Sequence, residues 1–559
     1  MIGGFVGAGP FLPLPGGDGL FENIFSWNKR ANLVLLESPM GVGFNFANFS
    51  LRDPSEDLFN DHSTVDMNEK ALKDFFTRVH PQLRNNPFFL AGESYAAVYI
   101  SQLAWELTKM LNRKEFPNVN FKGISIGNGG LATSMYVYSK LIYNVYHGYF
   151  PFDVWVTMKA KCNVSEENLY EATPAQLECM EFRVDWERRK YIYGGYDVEM
   201  GYHTGKGCYA PRIHDKFLED PSENPADYFA TYSTDNQRGL PCWFSEHPDL
   251  MNDNILTEYF SKDEVQAALN IPVEFRKKFE FCNNEFFQEY RETKDTSETF
   301  AAIIKHFQGE FRIMIYNGDM DAACSFITSA WFLRRLAKME KLNVTRKHAP
   351  WYYRDMKNPS GYTQRYANSN GRVTIDFLTV KGGSHSTVMD RPGQTHQIMS
   401  NFIHSGNMEK VNYSSSDLME FDPATIPLRP KEGDCGRGWI PCVVLVFIVI
   451  STAIILRCCV LNKKDGRRRN VGKGRDPFSF PSLEVTLNEL LSGDSRSLYF
   501  LLRNSRMLLL LLFAVVASAS DHPDLVTDLP GIIFDPDFKI YSGYLNGDNN
   551  TRTLHLHYL

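Results

Sequence analysis

Residues 87–99 read PFFLAGESYAAVY. Phe88–Ala91 is a short apolar run of the kind that forms a buried strand. Gly92-Glu93-Ser94-Tyr95-Ala96 follows. From Tyr95 to Leu111 a helical repeat then puts Ile100, Leu103, Ala104, Leu107 and Leu111 on one face. A strand, a tight turn and an amphipathic helix leave Ser94 at the corner, the arrangement of a nucleophile elbow. The turn would expose the hydroxyl, and the helix N-terminus would stabilise negative charge beside it. The backbone N–H of Tyr95, the residue after the serine, would be an oxyanion donor. The fifth position is Ala96 and not glycine, and G-x-S-x-A on its own is also found in ordinary turns.

The same reading extends along the chain. Asn32–Glu37, Lys122–Ile126, Arg312–Tyr316 and Thr374–Val380 are further apolar runs expected to be buried parallel strands. Lys70–Val79 puts Leu72, Phe75, Phe76 and Val79 on one helical face. Strands alternating with helices predict an α/β fold, with a mainly parallel central sheet and helices on both faces. Residues 150–250 break the rhythm and read as an inserted cap. Ligands of such sheets bind at the carboxyl ends of strands. Two more strands end in reactive groups there: Asn317-Gly318-Asp319-Met320-Asp321 and Gly382-Gly383-Ser384-His385. Serine, then aspartate, then histidine, each just past a strand, is the triad order of α/β-hydrolases. His385 would take the proton of Ser94, and an aspartate would hold the imidazole and stabilise its cation.

With these residues in place the chain closely resembles the serine carboxypeptidases of the carboxypeptidase Y and cathepsin A group. The resemblance runs from about Gly9 to Phe402. It rests on SWNKRANLVLLESPMGVGFNF (26–46), PFFLAGESYAAVY (87–99), GISIGNG (123–129), VQAALNIP (265–272), YNGDMDAAC (316–324) and VKGGSHSTVMDRPG (380–393). It implies the α/β-hydrolase fold and removal of C-terminal residues from peptides through an acyl-enzyme. The triad would be Ser94, Asp321 and His385, and no cofactor or metal would be needed. It makes Glu93 the group that binds the substrate's terminal carboxylate, a contact two carboxyls can share only if one is protonated. It implies a disulfide between Cys208 and Cys242 in the cap, with Cys162–Cys179 a second candidate. Cys324 would be a thiol near the substrate pocket. Expected partners are peptides with a free C-terminus, and a homodimer is compatible.

Composition agrees with a globular enzyme. The 559 residues are 43% hydrophobic and 22% charged, which excludes long-range disorder and fibrous repeats, and a net charge of −7 gives no reason to expect nucleic-acid binding. Ten cysteines include no C-x-x-C pair, so a structural zinc site is not expected. Scattered cysteines, and sequons at Asn48, Asn163, Asn343, Asn412 and Asn549, fit glycosylation in a lumenal or extracellular compartment. Residues 406–438 are polar and read as a stalk. Trp439–Leu456 is an uncharged apolar run, extending to 461 with one arginine, and a basic segment follows over 462–506. That pattern reads as a transmembrane helix with the catalytic domain lumenal, on a secretory or lysosomal route.

The family pattern is also broken. Its G-G-P-G-C-S-S segment, source of the second oxyanion donor and of a partner for Cys282, is missing before Gly9-Pro10-Phe11. Gly7, Ala97, Ser384 and Ser386-Thr387-Val388 depart from it too. Residues 507–520 form a second oddity: Arg503 and Arg506, an apolar core after Met507, and Ala517-Ser518-Ala519 make a signal-peptide pattern. Residues 521–559 then resemble the mature N-terminus of the same family. The expectation is a fusion of an incomplete carboxypeptidase with the start of a second one, with a tandem multidomain protein as its rival. For function, the alternatives to the peptidase are an inactive membrane-tethered binding protein and an acyltransferase or esterase on the same fold.

Overall fold

The computed structural model describes residues 7–13, 19–47, 59–147, 152–164, 254–280, 295–354, 356–406, 411–418, 522–532, 538–548 and 554–559, with a few isolated positions between them. The chain divides into two compact units. One is Met1–Leu428 together with Val526–Leu559, and the other is Arg429–Leu525. The expected span at 439–461, the basic segment 462–506 and the signal-like stretch 507–520 lie outside the described residues. So do Cys208, Cys242, Cys282, Asn48 and most of the cap. Among the described residues no helix is long and apolar enough to cross a membrane.

In chain order the elements that position the site begin with β1 (Phe46–Ala47), α1 (Asp61–Asp74), β2 (Pro87–Glu93), α2 (Ala96–Arg113), β3 (Asn120–Gly127) and α3 (Thr133–Tyr146). They continue with α4 (Ser297–His306), β4 (Phe311–Gly318), α5 (Phe326–Glu340), β5 (Asn343–Trp351), β6 (Gly361–Ala367), β7 (Val373–Val380) and α6 (Pro392–His404). The last are β8 (Gly543–Asn546) and β9 (Leu554–Tyr558). The main sheet has the order β2-β3-β4-β7-β6-β5. The first four strands are parallel, and β6 and β5 add antiparallel to one side. The register aligns Glu93 with Gly127 and Gly318 with Val380, so the strands that carry the triad end at one edge.

Burial explains why these elements were readable. Leu72, Phe75, Phe76 and Val79 are all buried, as are Leu103, Ala104 and Leu107 of α2, while Ile100 and Leu111 pack at the core's margin. They form one core with Ile124, Ile126, Ile313 and Ile315 of the sheet. The other sheet face buries Met314, Tyr316, Leu378 and Val380 against Ile398 and Phe402 of α6.

Two expectations need correction. Asn32–Glu37 is not a strand of the parallel sheet. It makes a single bridge, Leu36 to Tyr558, and its amides bond to the C-terminal residues instead. The expected stalk does not begin at 406, because Val411 and Tyr413 are buried in the core and the Tyr413 hydroxyl donates to Asp376 at 2.7 Å. The hairpin β5–β6 gave no apolar run. Strand β5 is largely exposed, and β6 alternates, with Arg365 pointing inward to a bidentate pair with Asp376 across the strands. The Cys162–Cys179 disulfide is present. Asn163, Asn343 and Asn412 are exposed, as acceptors of a glycan must be.

Candidate active site

Strand β2 ends at Glu93 and α2 starts at Ala96, so Ser94 and Tyr95 make the whole turn. Ser94 sits at φ 58°, in the left-handed region that a side chain adopts only under constraint. The constraint is visible: Ser94 N donates to Gly127 O at 3.0 Å, and its carbonyl accepts from Ala97 N at 3.1 Å and Gly130 N at 2.9 Å. Gly92 allows the approach, since a Cβ there would meet Ile100 at 2.7 Å.

The three expected residues come together. His385 Nε2 lies 2.9 Å from Ser94 Oγ, and His385 Nδ1 lies 3.0 Å from Asp321 Oδ2. Asp321 is fully buried, and the histidine side chain keeps 24% exposure, so the imidazole remains reachable from solvent. The other Asp321 oxygen accepts from the backbone N–H groups of Ala323 at 2.8 Å and Cys324 at 3.0 Å. A carboxylate held this way is fixed in orientation, and it fixes the tautomer of the histidine in turn.

Sequence reading missed the residue that completes this cage. Asn128, after β3, donates through Nδ2 to Asp321 Oδ2 at 2.6 Å and to Ser384 O at 3.1 Å. Its own carbonyl accepts from Thr387 Oγ1 at 2.6 Å. Asn128 lies in the GISIGNG stretch, whose motif was plain but whose contact with a residue 193 positions away was not. The loop carrying His385 is tied a second time, by Ser384 N donating to Asp390 Oδ2 at 2.6 Å.

Glu93 adjoins this cluster. Its Oε1 is buried with no hydrogen-bond partner among the described residues. Burial pushes the carboxyl up to about 7, with His385 opposing and the nearby Asp321 and Asp390 adding to the rise. A neutral carboxyl aimed beside a serine–histidine pair can donate a hydrogen bond to an anion. The Tyr95 ring points elsewhere: its hydroxyl donates to Asp61 of α1 at 3.0 Å, which anchors the residue whose N–H follows the serine. Cys324 is a buried thiol whose sulfur lies within 4.8 Å of the ligand atoms of Asp321 and His385. Two of the three members of that cluster are therefore the aspartate and histidine that meet Ser94.

Known proteins with related sequences give the chain a family. The serine carboxypeptidase family model matches residues 1–405. "Serine carboxypeptidase ctsa-3.2" of Caenorhabditis elegans is 32% identical over 447 residues, covering 73% of this chain and 82% of that protein. "Lysosomal protective protein" of Mus musculus is 29% identical, covering 71% and 79%. The solved Kex1(delta)p, a prohormone-processing carboxypeptidase from Saccharomyces cerevisiae, aligns at 17% identity over 72% of this chain and 80% of its own, with a TM-score of 0.47. The family match, residues 1–405, takes in the main sheet together with Ser94, Asp321 and His385, and the protein belongs to the serine carboxypeptidase family.

Proposed function

We propose that Ser94 is the nucleophile with which this protein removes C-terminal residues from peptides. Family membership makes it a serine-type carboxypeptidase, a hydrolase of peptide substrates. The observation that carries the assignment of residues is the chain Asp321–His385–Ser94, with contacts of 3.0 and 2.9 Å. In this reading His385 Nε2 takes the hydroxyl proton as Oγ attacks the scissile carbonyl. Asp321 stabilises the imidazolium, and the Tyr95 N–H faces the developing oxyanion. Histidine then returns the proton to the leaving amine, and water discharges the acyl-enzyme by the same route. Glu93, protonated below about pH 7, donates to the carboxylate of the departing residue.

A secretory or lysosomal route, with the catalytic unit lumenal and a membrane span at 439–461, belongs to this reading. The Cys162–Cys179 disulfide, the exposed sequons and the uncharged run after Trp439 support it. The test is a fluorophosphonate probe applied to the folded chain, together with release of the last residue from an N-blocked dipeptide. Ser94→Ala must abolish both without altering the thermal transition. A folded chain that never labels at Ser94 overturns the reading, and one that cleaves esters but no dipeptide makes it an esterase.

A further inference from the structure

The segment Val526–Leu559 was expected to begin a second domain, yet it lies in the same compact unit as Met1–Leu428. Strand β8 pairs antiparallel with β9, from Gly543 opposite Tyr558 to Asn546 opposite His555, and β9 pairs in turn with β1. Past β9, Leu35 and Leu559 exchange backbone hydrogen bonds of 2.8 and 3.1 Å, and Glu37 N donates to His557 O at 3.1 Å. Leu545, Leu556 and Tyr558 are at most 2% exposed and belong to the main core beneath the sheet. Val526 and Leu529 fill a second cluster with Phe11, Leu12 and Leu20.

A buried polar chain closes the contact. Ser542 Oγ donates to Leu269 O at 2.7 Å and lies 2.8 Å from His557 Nε2, while His557 Nδ1 lies 3.2 Å from Glu37 Oε2. Glu37 also accepts from Phe44 N at 2.6 Å. Acid, imidazole and hydroxyl in line look like a second triad, but Ser542 and His557 are fully buried and the serine proton is committed to a carbonyl. Removing one member would strand the others without water, so the chain acts as a lock. Gly43 is required beside it: at φ +57° its hydrogen faces Glu37, and a Cβ would sit 2.1 Å from Oε1.

We propose that residues 526–559 are a docked clamp that completes the catalytic unit, held there by these contacts and not by the connection through 429–525. The clamp reaches the nucleophile through α1. Asp74, at one end of that helix, accepts from Asn546 N at 3.0 Å. Asp61, at the other end, accepts from the hydroxyl of Tyr95, next to Ser94. The inference does not depend on the reaction assigned above, because its readouts are association and backbone protection.

The experiment uses the full chain carrying a sequence-specific endoprotease site within 429–525, cut after folding. The two pieces are expected to co-elute under native conditions and to part in denaturant. In the uncut chain, peptides covering 33–38 and 554–559 are expected to exchange their amide hydrogens within ~10-fold of the rate for β4. Separation of the C-terminal piece, while the larger piece keeps its thermal transition, overturns the proposal. So does free exchange at 33–38 and 554–559 in a chain whose β4 stays protected.

Discussion

Asn128 Nδ2 donates to Asp321 Oδ2 over 2.6 Å, the same carboxylate oxygen that His385 Nδ1 meets at 3.0 Å. One oxygen therefore answers to two donors, and Thr387 Oγ1 holds the asparagine carbonyl at 2.6 Å so that its amide points the right way. Asn128→Ala leaves this buried oxygen short of a donor, a loss of about 1–3 kcal/mol. Because Asn128 and Asp321 are both fully buried and the contact would orient the proposed triad, the loss should fall on kcat, by ~10- to 100-fold, with KM little changed. Thr387→Val should follow in the same direction with a smaller effect, and Thr387→Ser should restore activity. Steady-state kinetics on a dipeptide substrate checks all three.

In the proposed role, Glu93 should set a pH dependence that Glu93→Gln removes. Below about 7 the carboxyl is protonated and can donate to a terminal carboxylate; above, two negative charges meet. KM for a peptide with a free C-terminus should rise as pH passes through about 7, while KM for the matching C-terminal ester should not. Glutamine cannot ionise, so its profile should stay flat across that range. KM for both substrates measured between about pH 5 and 9 decides it.

The same shift has a stability consequence. The folded carboxyl holds its proton up to about 7, whereas the unfolded one releases it near the ordinary glutamate value of 4.5. Between these values the native state binds more protons than the unfolded state, so stability falls as pH rises through the window and levels off above it. The loss is bounded at about 3 kcal/mol, and Glu93→Gln should lose less. Thermal transitions of both proteins at several pH values supply the comparison.

Gly318 is the last residue of β4, and a Cβ there would lie 2.2 Å from Gly383 O and 2.5 Å from Ser384 O. Both oxygens belong to the loop that carries His385. Gly318→Ala should push that loop away from Asp321 and Ser94, costing ~10²-fold in kcat/KM if the base moves by about 1 Å. Far-ultraviolet circular dichroism should show the fold retained while probe labelling at Ser94 slows.

Arg365 and Asp376 face each other across β6 and β7, bonded twice at 2.6 and 2.7 Å and 3% exposed on each side. Asp376→Leu strands a buried guanidinium and the Tyr413 hydroxyl, and should cost about 3–5 kcal/mol. Adding Arg365→Met should recover part of that loss, because an apolar pair needs no desolvated partner. Denaturant unfolding of the single and double variants measures the difference.

These relationships were unevenly legible. The elbow at Ser94, strands β2, β3, β4 and β7, and the faces of α1 and α2 were readable because each is a local pattern of apolar spacing around a turn. The hairpin β5–β6 was not, since its inward positions include Thr363 and Arg365 and its outer strand buries little. Asn32–Glu37 looked like a sheet strand because its apolar residues are half-buried and Val34 and Leu36 pack against the core, but a run of hydrophobic side chains does not say which strand will lie beside it. Asn128 lay in a recognised motif, yet its role depends on a partner far along the chain.

Sequence by itself determined the candidate groups and their order: a serine at a strand–helix corner, an aspartate and a histidine past two later strands, and a glutamate beside the serine. Those are properties of residue type and local order. Tertiary structure alone decided that Glu93 is buried enough to hold its proton near neutrality, that Asn128 and Thr387 aim the Asp321 carboxylate, and that His557–Leu559 bond to Leu35–Glu37. The physical reason is common to all three. Desolvation, hydrogen-bond direction and strand pairing depend on which atoms meet in space, and these atoms meet from positions tens to hundreds of residues apart.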